Sequence, residues 1–62
     1  MNFISFKNIY GSTIILNKEM VVCCKFYQDF KNVDCVNITL QSNVCIEEKI
    51  SPEEVIKLQN AF

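Results

Sequence analysis

The segment Ser51-Pro52-Glu53-Glu54 constrains the fold more than any other part of the sequence. A serine followed three residues later by glutamate forms a capping box, and proline is favoured at the first helical position. We predict a helix that starts at Pro52, with Ser51 capping the Glu54 amide and the Glu54 carboxylate reaching back. A helix of about ten residues is not stable alone in water, so it must dock on the rest of the chain. Its predicted docking face comprises Val55, Ile56, Leu58 and Phe62.

Five short apolar segments precede this helix and have the patterns of β-strands. They follow one another closely, so neighbouring strands are expected to pair antiparallel. We predict an α+β fold in a single domain, residues 1–62. It is a five-stranded antiparallel meander, able to curl into a partly open barrel, with one C-terminal helix. The predicted strands are 3–7, 13–16, 20–27, 34–41 and a fifth that includes Val44, Ile46 and Glu48.

Two turns set the pairing of these strands. Gly11 is the only glycine and is therefore expected at a position with positive φ in the first hairpin. Residues 41–43 are predicted to form a three-residue loop with Asn43 in the left-handed region. That loop pairs Ile38 with Ile46 on one face, whereas a two-residue loop would turn Ile46 away.

The third segment, residues 20–27, is the exception to strand alternation. Its apolar residues do not alternate cleanly with polar ones, which predicts a strand covered on both faces. The remaining segments predict one core beneath the helix. That core is expected to comprise Ile4, Phe6, Val36, Ile38, Leu40, Val44 and Ile46.

At this chain length, the free energy gained by burial and the entropy cost of folding are nearly equal. Burial of about 6,300 Å², roughly 60% of it apolar, stabilises the fold by about 95 kcal/mol. Ordering 62 residues costs about 93 kcal/mol. Because the two contributions cancel, a chain of this length often depends on a staple, a metal or a second subunit.

The four cysteines allow three interpretations. Cys23, Cys24, Cys35 and Cys45 could bind zinc, but no Cys-x2–4-Cys pair or histidine is present. Adjacent Cys23 and Cys24 must also point to opposite faces of one strand. A redox or intermolecular disulfide is the second interpretation. The favoured one is that the thiols are small, buried apolar side chains, so no metal site and no cofactor is predicted.

Charge and motifs argue against several function classes. The six lysines are scattered singly along the sequence, and there is no arginine. Both observations argue against direct nucleic-acid binding. No apolar run is long enough for a membrane span, and no signal peptide is recognisable, so we expect a cytoplasmic protein. No nucleophile–base pair or phosphate loop is present, and no catalytic residue is predicted. The acidic residues around the helix start are interpreted as solvated or as helix-end charges, rather than a carboxylate pair: Glu47, Glu48, Glu53 and Glu54.

One helix can cover only one face of a sheet, so the apolar residues outside the predicted core are not covered by it. A curled sheet could bury them within the chain. The favoured interpretation is a second apolar surface that contacts another protein, with exposed sheet edges as a second way to pair. The predicted interface comprises Phe3, Tyr10, Val21, Cys23, Phe26, Tyr27, Phe30 and Cys35.

The order of these elements resembles a known family. The motifs that carry the resemblance are, in order, Ile4-x-Phe6, Gly11, Leu16-Asn17, Val36-x-Ile38-x-Leu40, Val44-x-Ile46-x-Glu48 and Ser51-Pro52-Glu53-Glu54-Val55-Ile56. The pattern resembles the flagellar FlbD family, also called SwrD-type swarming motility proteins, and similar short proteins of gut Bacteroidetes and their phages. The adjacent cysteines and the turn Ser42-Asn43, where the family usually has Asn-Gly, favour the latter group. The family has no established catalytic residues, so the resemblance implies none.

Three functions fit these observations. The first is a non-enzymatic protein-binding module, an accessory protein of phage or mobile-element type that inhibits a host protein and forms a homodimer. The second is a cellular motility or regulatory accessory of the FlbD type. The third is an oligomer that sequesters a small ligand between subunits. The sequence favours the first, because the chain is small, lacks catalytic groups and has surplus apolar residues.

Overall fold

The computed structural model describes residues 2–62 and confirms the predicted α+β fold, with antiparallel strands and a C-terminal helix. A short 3-10 helix, Lys18–Met20, occupies the predicted break before the third strand. No helix among residues 2–62 is long and apolar enough to cross a membrane. The elements are β1 (Phe3–Lys7), β2 (Thr13–Asn17), β3 (Val21–Gln28), β4 (Asp34–Leu40), β5 (Cys45–Lys49) and α1 (Pro52–Ala61).

The strands form two sheets, and the sheets do not close into a barrel. One is the hairpin β1–β2, and the other has the order β3-β4-β5. The sheets meet where β1 and β5 end. There the Ile9 N–H donates to the Lys49 carbonyl at 2.9 Å, and the Asn8 side-chain amide donates to the Glu48 carboxylate at 2.9 Å. Within each sheet, strands adjacent in sequence pair antiparallel, as predicted, but β2 and β3 do not pair, so the five strands do not form one continuous meander.

Both predicted turns are confirmed. Gly11 has φ 88° and Asn43 has φ 65°. The Asn43 N–H donates to the Leu40 carbonyl at 2.9 Å, which closes the three-residue loop between β4 and β5. In the resulting register Ile38 lies opposite Ile46, as the apolar pattern requires.

The irregular pattern of the third segment arises from a β-bulge. The register of β3 against β4 shifts between Val21 and Cys23, so Val22 is an extra residue. Val21 and Cys24 therefore both pack against the core, although a regular strand would place them on opposite faces. The prediction that this strand is covered on both faces is wrong, because Val22 is 65% exposed.

The core lies between the two sheets and the helix. Val44, predicted to be part of it, is 52% exposed because it adjoins the turn that precedes the first residue of β5. Ile50 was not predicted, yet it is buried between β5 and α1, and its N–H donates to the Asp34 carbonyl at 2.9 Å. The buried cluster comprises Phe6, Leu16, Val36, Ile38, Ile50 and Leu58.

The helix begins as predicted, but one half of the capping box differs. Ser51 is the N-cap, and its hydroxyl accepts from the Glu54 N–H at 3.4 Å. The Glu54 carboxylate does not reach back, because it accepts from the Lys7 N–H at 2.8 Å. Lys7 ends β1, which has β2 as its only strand partner among residues 2–62. The Lys7 N–H points away from β2, and the Glu54 carboxylate supplies its acceptor. This hydrogen bond connects the helix to the first sheet.

The helix packs through fewer residues than predicted. Leu58 is buried and Val55 packs against the core, three residues apart on one face. Ile56 is 60% exposed, because one further residue rotates a side chain away from the Val55 face. Phe62 is also exposed, since it follows the last helical residue. The predicted docking face is therefore wrong at these two positions.

We expect Leu58→Ala to lower the free energy of unfolding by about 2–5 kcal/mol, because it leaves a cavity among fully buried side chains. The matched control is Ile56→Ala on the same helix, which removes an exposed side chain and should cost less than about 1 kcal/mol. Urea unfolding monitored by circular dichroism measures both. Equal losses for the two variants would contradict the assigned helix face.

We expect Glu54→Ala to lower the free energy of unfolding by about 1 kcal/mol more than Glu53→Ala does. Both carboxylates lie in the first helical turn and interact with its dipole, but only Glu54 accepts from the Lys7 N–H. The difference between the variants therefore isolates that hydrogen bond. Urea unfolding gives the energies, and equal stabilities would show that the bond contributes nothing.

Candidate protein-interaction surface

Strand β3 is the longest strand, and it lies at the end of its sheet. It has eight residues, and β4 is its only strand partner in the described part of the chain. Edge strands present unpaired backbone groups to which another strand can add. Strand β2 is also at an edge but has five residues. The sequence of β3, VVCCKFYQ, contains no proline and one charged residue, so its edge has little protection against pairing.

The ladder between β4 and β5 shows which backbone groups of β4 point towards β3. The Leu40 N–H donates to the Val44 carbonyl at 2.8 Å, and the Ile50 N–H donates to the Asp34 carbonyl at 2.9 Å. Hydrogen-bonded pairs alternate along an antiparallel ladder. The even-numbered residues of β4 therefore bond to β5, and its odd-numbered residues bond to β3.

The same alternation identifies the backbone groups at the free edge of β3. Its odd-numbered residues from 23 to 27 lie opposite the odd-numbered residues of β4 and bond to them. Cys24, Phe26 and Gln28 consequently direct their N–H and C=O groups away from β4. The bulge at Val22 interrupts the regular edge on the N-terminal side. The regular pairing edge of this strand is therefore residues 23–28, which we call the β3 edge.

The outer face of the second sheet, which is turned away from the core, is mixed rather than apolar. Three cross-strand rows make up this face. One contains two thiols around a hydroxyl, the next is charged at both ends, and the third contains an aromatic ring. The rows are Cys23-Thr39-Cys45, Lys25-Asn37-Glu47 and Tyr27-Cys35-Lys49.

A hydrogen bond across this face fixes the aromatic ring beside the β3 edge. The Tyr27 hydroxyl donates to the Glu47 carboxylate. This bond favours the protonated phenol and raises the pKa of Tyr27 to about 12, with smaller contributions from burial and from the negative charge. The ring is held although Tyr27 is 42% exposed, so it offers an ordered apolar surface next to the edge.

The loop after β3 holds the C-terminal end of the edge. The Asp29 carboxylate accepts from the Val33 N–H at 3.0 Å and the Lys31 N–H at 2.8 Å. These bonds, the one from Val33 first, lower the pKa of Asp29, although partial burial opposes them. Lys49 approaches the same carboxylate at 3.5 Å. Phe30 projects from this ordered loop and is 92% exposed.

The structure distributes the predicted interface residues over several environments. Phe3, Tyr10, Tyr27 and Phe30 are exposed, on β1, the first turn, β3 and the following loop. Val21, Cys23 and Phe26 are half-buried, and Val21 and Phe26 pack against the core. Cys35 is only 4% exposed, and its thiol donates to the Val33 carbonyl at 3.5 Å. Cys35 is therefore not part of an exposed surface: Tyr27 and Lys49 flank it in its cross-strand row, and its thiol is directed to Val33.

The sequence did not identify the edge residues Cys24 and Gln28 as binding groups. Their contribution comes from the backbone, whose direction depends on the β4 ladder and not on residue type. The bulge at Val22 was equally missed. Its signal was present, since a strand in which apolar residues fail to alternate is as typical of a bulge as of double coverage.

The cysteines and acidic residues form no common centre. All four cysteines are free. Burial, and secondarily Cys23, raises the pKa of the Cys24 thiol. Over residues 2–62, no group of three metal-ligating side chains and no pocket is found. Glu47, Glu48 and Glu54 each accept a hydrogen bond from a different part of the chain.

The chain matches no known family model, no curated protein and no solved structure.

We expect the phenol of Tyr27 to ionise near pH 12, and Glu47→Gln to lower that pH towards the ordinary value of 10.0. A raised pKa means that the Tyr27–Glu47 bond stabilises the fold below pH 10 and that this stabilisation is lost between pH 10 and about 12. Absorbance of tyrosinate at alkaline pH measures the titration, with Tyr10→Phe in both proteins to leave one signal. An unchanged midpoint in the Glu47→Gln protein would contradict the assigned cause.

Proposed function

We propose that this protein is a small non-enzymatic protein-binding module that recognises its target by pairing the β3 edge with a strand of the target. The observation that carries the proposal is the outward direction of the Cys24, Phe26 and Gln28 backbone groups on an uncovered edge. Backbone hydrogen bonds give affinity in strand addition, and side chains that alternate between the two faces give selectivity.

The side chains along the β3 edge support a selective contact. Lys25 and the ordered Tyr27 ring lie on the outer face, and the half-buried Phe26 lies on the core face. An added strand would therefore meet a cation and an aromatic ring on one side and an apolar side chain on the other. Aromatic side chains that are partly buried and held in place are typical of residues that dominate binding energy.

Strand addition also suggests how such a small protein would act. It would occupy a strand edge of its target and so block whatever that edge binds. This fits the role of an inhibitor carried by a phage or mobile element and acting in the cytoplasm, which is the expectation from the resemblance to short phage-borne proteins. The FlbD-type motility role uses the same binding chemistry with a different target.

We expect a target captured from a lysate of the source organism to be lost when Gln28 is replaced by proline and retained with Gln28→Ala. Proline removes the outward N–H of Gln28 without removing a bond to β4, and edge positions tolerate proline. Both variants lose the side-chain hydrogen bond from Gln28 to Asp34. The alanine variant is therefore the matched control for the backbone donor.

Affinity capture with quantitative mass spectrometry compares the two variants with the unmodified protein. Amide hydrogen exchange then tests whether the captured target protects Phe26 and its edge neighbours. The proposal is wrong if no target is recovered above background. It is equally wrong if the Gln28→Pro protein captures the target as well as the Gln28→Ala protein does.

A further inference from the structure

We infer that two copies of this chain pair antiparallel through the β3 edge, with Phe26 opposite Phe26 of the second copy. The inference rests on the proposed function only in using the same edge, and it commits to a second copy as the occupant. The pairing would join two three-stranded sheets into one continuous sheet of six strands. Its register follows from the backbone directions and the one charged side chain of β3.

Symmetry restricts the registers that two identical antiparallel strands can adopt. Opposed residues must lie on the same face of the sheet, and faces alternate along a regular strand. A residue must therefore pair with one of the same parity, so the two-fold axis passes through a single residue. On the β3 edge the possible central residues are Cys24, Lys25, Phe26 and Tyr27.

Hydrogen bonding favours the register centred on Phe26. Only the outward residues Cys24, Phe26 and Gln28 can bond across the edge, and each opposed pair of outward residues exchanges two hydrogen bonds. Centring on Phe26 opposes Cys24 to Gln28 of the second copy, Phe26 to Phe26, and Gln28 to Cys24. All three outward residues of each copy are then paired.

The other registers leave outward groups unpaired. Centring on Lys25 opposes Cys24 to Phe26 and leaves Gln28 opposite the bulge at Val22. Centring on Cys24 places Phe26 opposite the same bulge. Centring on Tyr27 pairs Phe26 with Gln28 and leaves Cys24 opposite the loop beyond β3. Each of these registers forms fewer hydrogen bonds than the one centred on Phe26.

Side-chain charge favours the same register. Lys25 bonds to β4, so across the edge it lies in the non-hydrogen-bonded pairs, where opposed side chains are closest. Centring on Lys25 would oppose two ammonium groups, which is destabilising. Centring on Phe26 instead opposes Lys25 to the Tyr27 ring of the second copy, and lysine is attracted to an aromatic face. That ring is already held by its bond to Glu47.

The apolar faces of the two copies also continue into each other in this register. Phe26 packs against the core of its own chain but is only half-buried. Two Phe26 rings at the axis would complete each other's burial. The contact is short, and interfaces smaller than about 1,200 Å² are typical of transient complexes. Self-pairing would thus protect the edge and give way to a target strand.

The experiment traps the register by disulfide formation. Single variants Phe26→Cys and Lys25→Cys are oxidised, and cross-links are mapped by mass spectrometry after digestion. In the register centred on Cys24, the native Cys24 thiols of the two copies oppose each other, and a disulfide between them would identify that register. Opposed residues of a hydrogen-bonded pair have Cα atoms about 5.5 Å apart, which a disulfide can span. We expect a symmetric cross-link between introduced thiols in the Phe26→Cys protein and none in the Lys25→Cys protein.

Sedimentation equilibrium under reducing conditions provides a second measurement without cross-linking. We expect a concentration-dependent dimer whose dissociation constant rises about tenfold to a hundredfold in Gln28→Pro and changes little in Gln28→Ala. Proline removes only the N–H, so one hydrogen bond is lost at each of the two symmetry-related Cys24–Gln28 pairs, two in the whole dimer. In a register centred on Lys25, Gln28 would make no bond, and the two variants would behave alike.

A monomer at every concentration overturns the inference, as does a symmetric cross-link through Lys25→Cys or through Cys24. Equal dissociation constants for Gln28→Pro and Gln28→Ala overturn it as well. The proposed function fails separately. A monomer that captures a target in a Gln28-dependent manner contradicts self-pairing alone. If the Phe26→Cys protein gives the symmetric cross-link but the unmodified protein captures no target, target binding alone is contradicted.

Discussion

The fold depends on one shared core, because neither the hairpin β1–β2 nor the helix is stable by itself. A two-stranded hairpin is marginal in water, and so is a helix of ten residues. The central strand β4 contributes Val36 and Ile38, which are fully buried. The hairpin covers them with Phe6 and the helix with Leu58. The hairpin and the helix are therefore ordered only while they pack on this core, and we expect unfolding to be cooperative.

This dependence determines which strand edges are occupied. The helix must start beside β1 for Leu58 to reach β4, and this places Glu54 at the Lys7 N–H. The first turn in the same way places the Ile9 N–H at the Lys49 carbonyl, at the end of β5. Packing of the core thus covers groups on the inner edges of both sheets. The outer edges, those of β2 and β3, have no strand partner within residues 2–62.

Local sequence predicted what local physics determines. The strand order, the positive φ angles of Gly11 and Asn43, the β4–β5 register and the Ser51 cap all follow from residues close in sequence. The partner of Glu54 and the burial of Ile50 depend on how distant elements meet, so the sequence could not show them. The sequence predicted that an exposed sheet edge could pair, but it could not show which strand or which backbone groups face outward, because these depend on the β4 ladder.

The properties of β3 show how an exposed edge can remain selective. A long apolar edge strand normally invites pairing in many registers, which leads to aggregation. Here the bulge at Val22 limits regular pairing to one side of it, and Lys25 makes the register centred on itself unfavourable. The same two features leave the Phe26-centred register with every outward backbone group paired. In the proposed dimer, an irregularity and one charge would thus be sufficient to select one register for an otherwise non-specific edge.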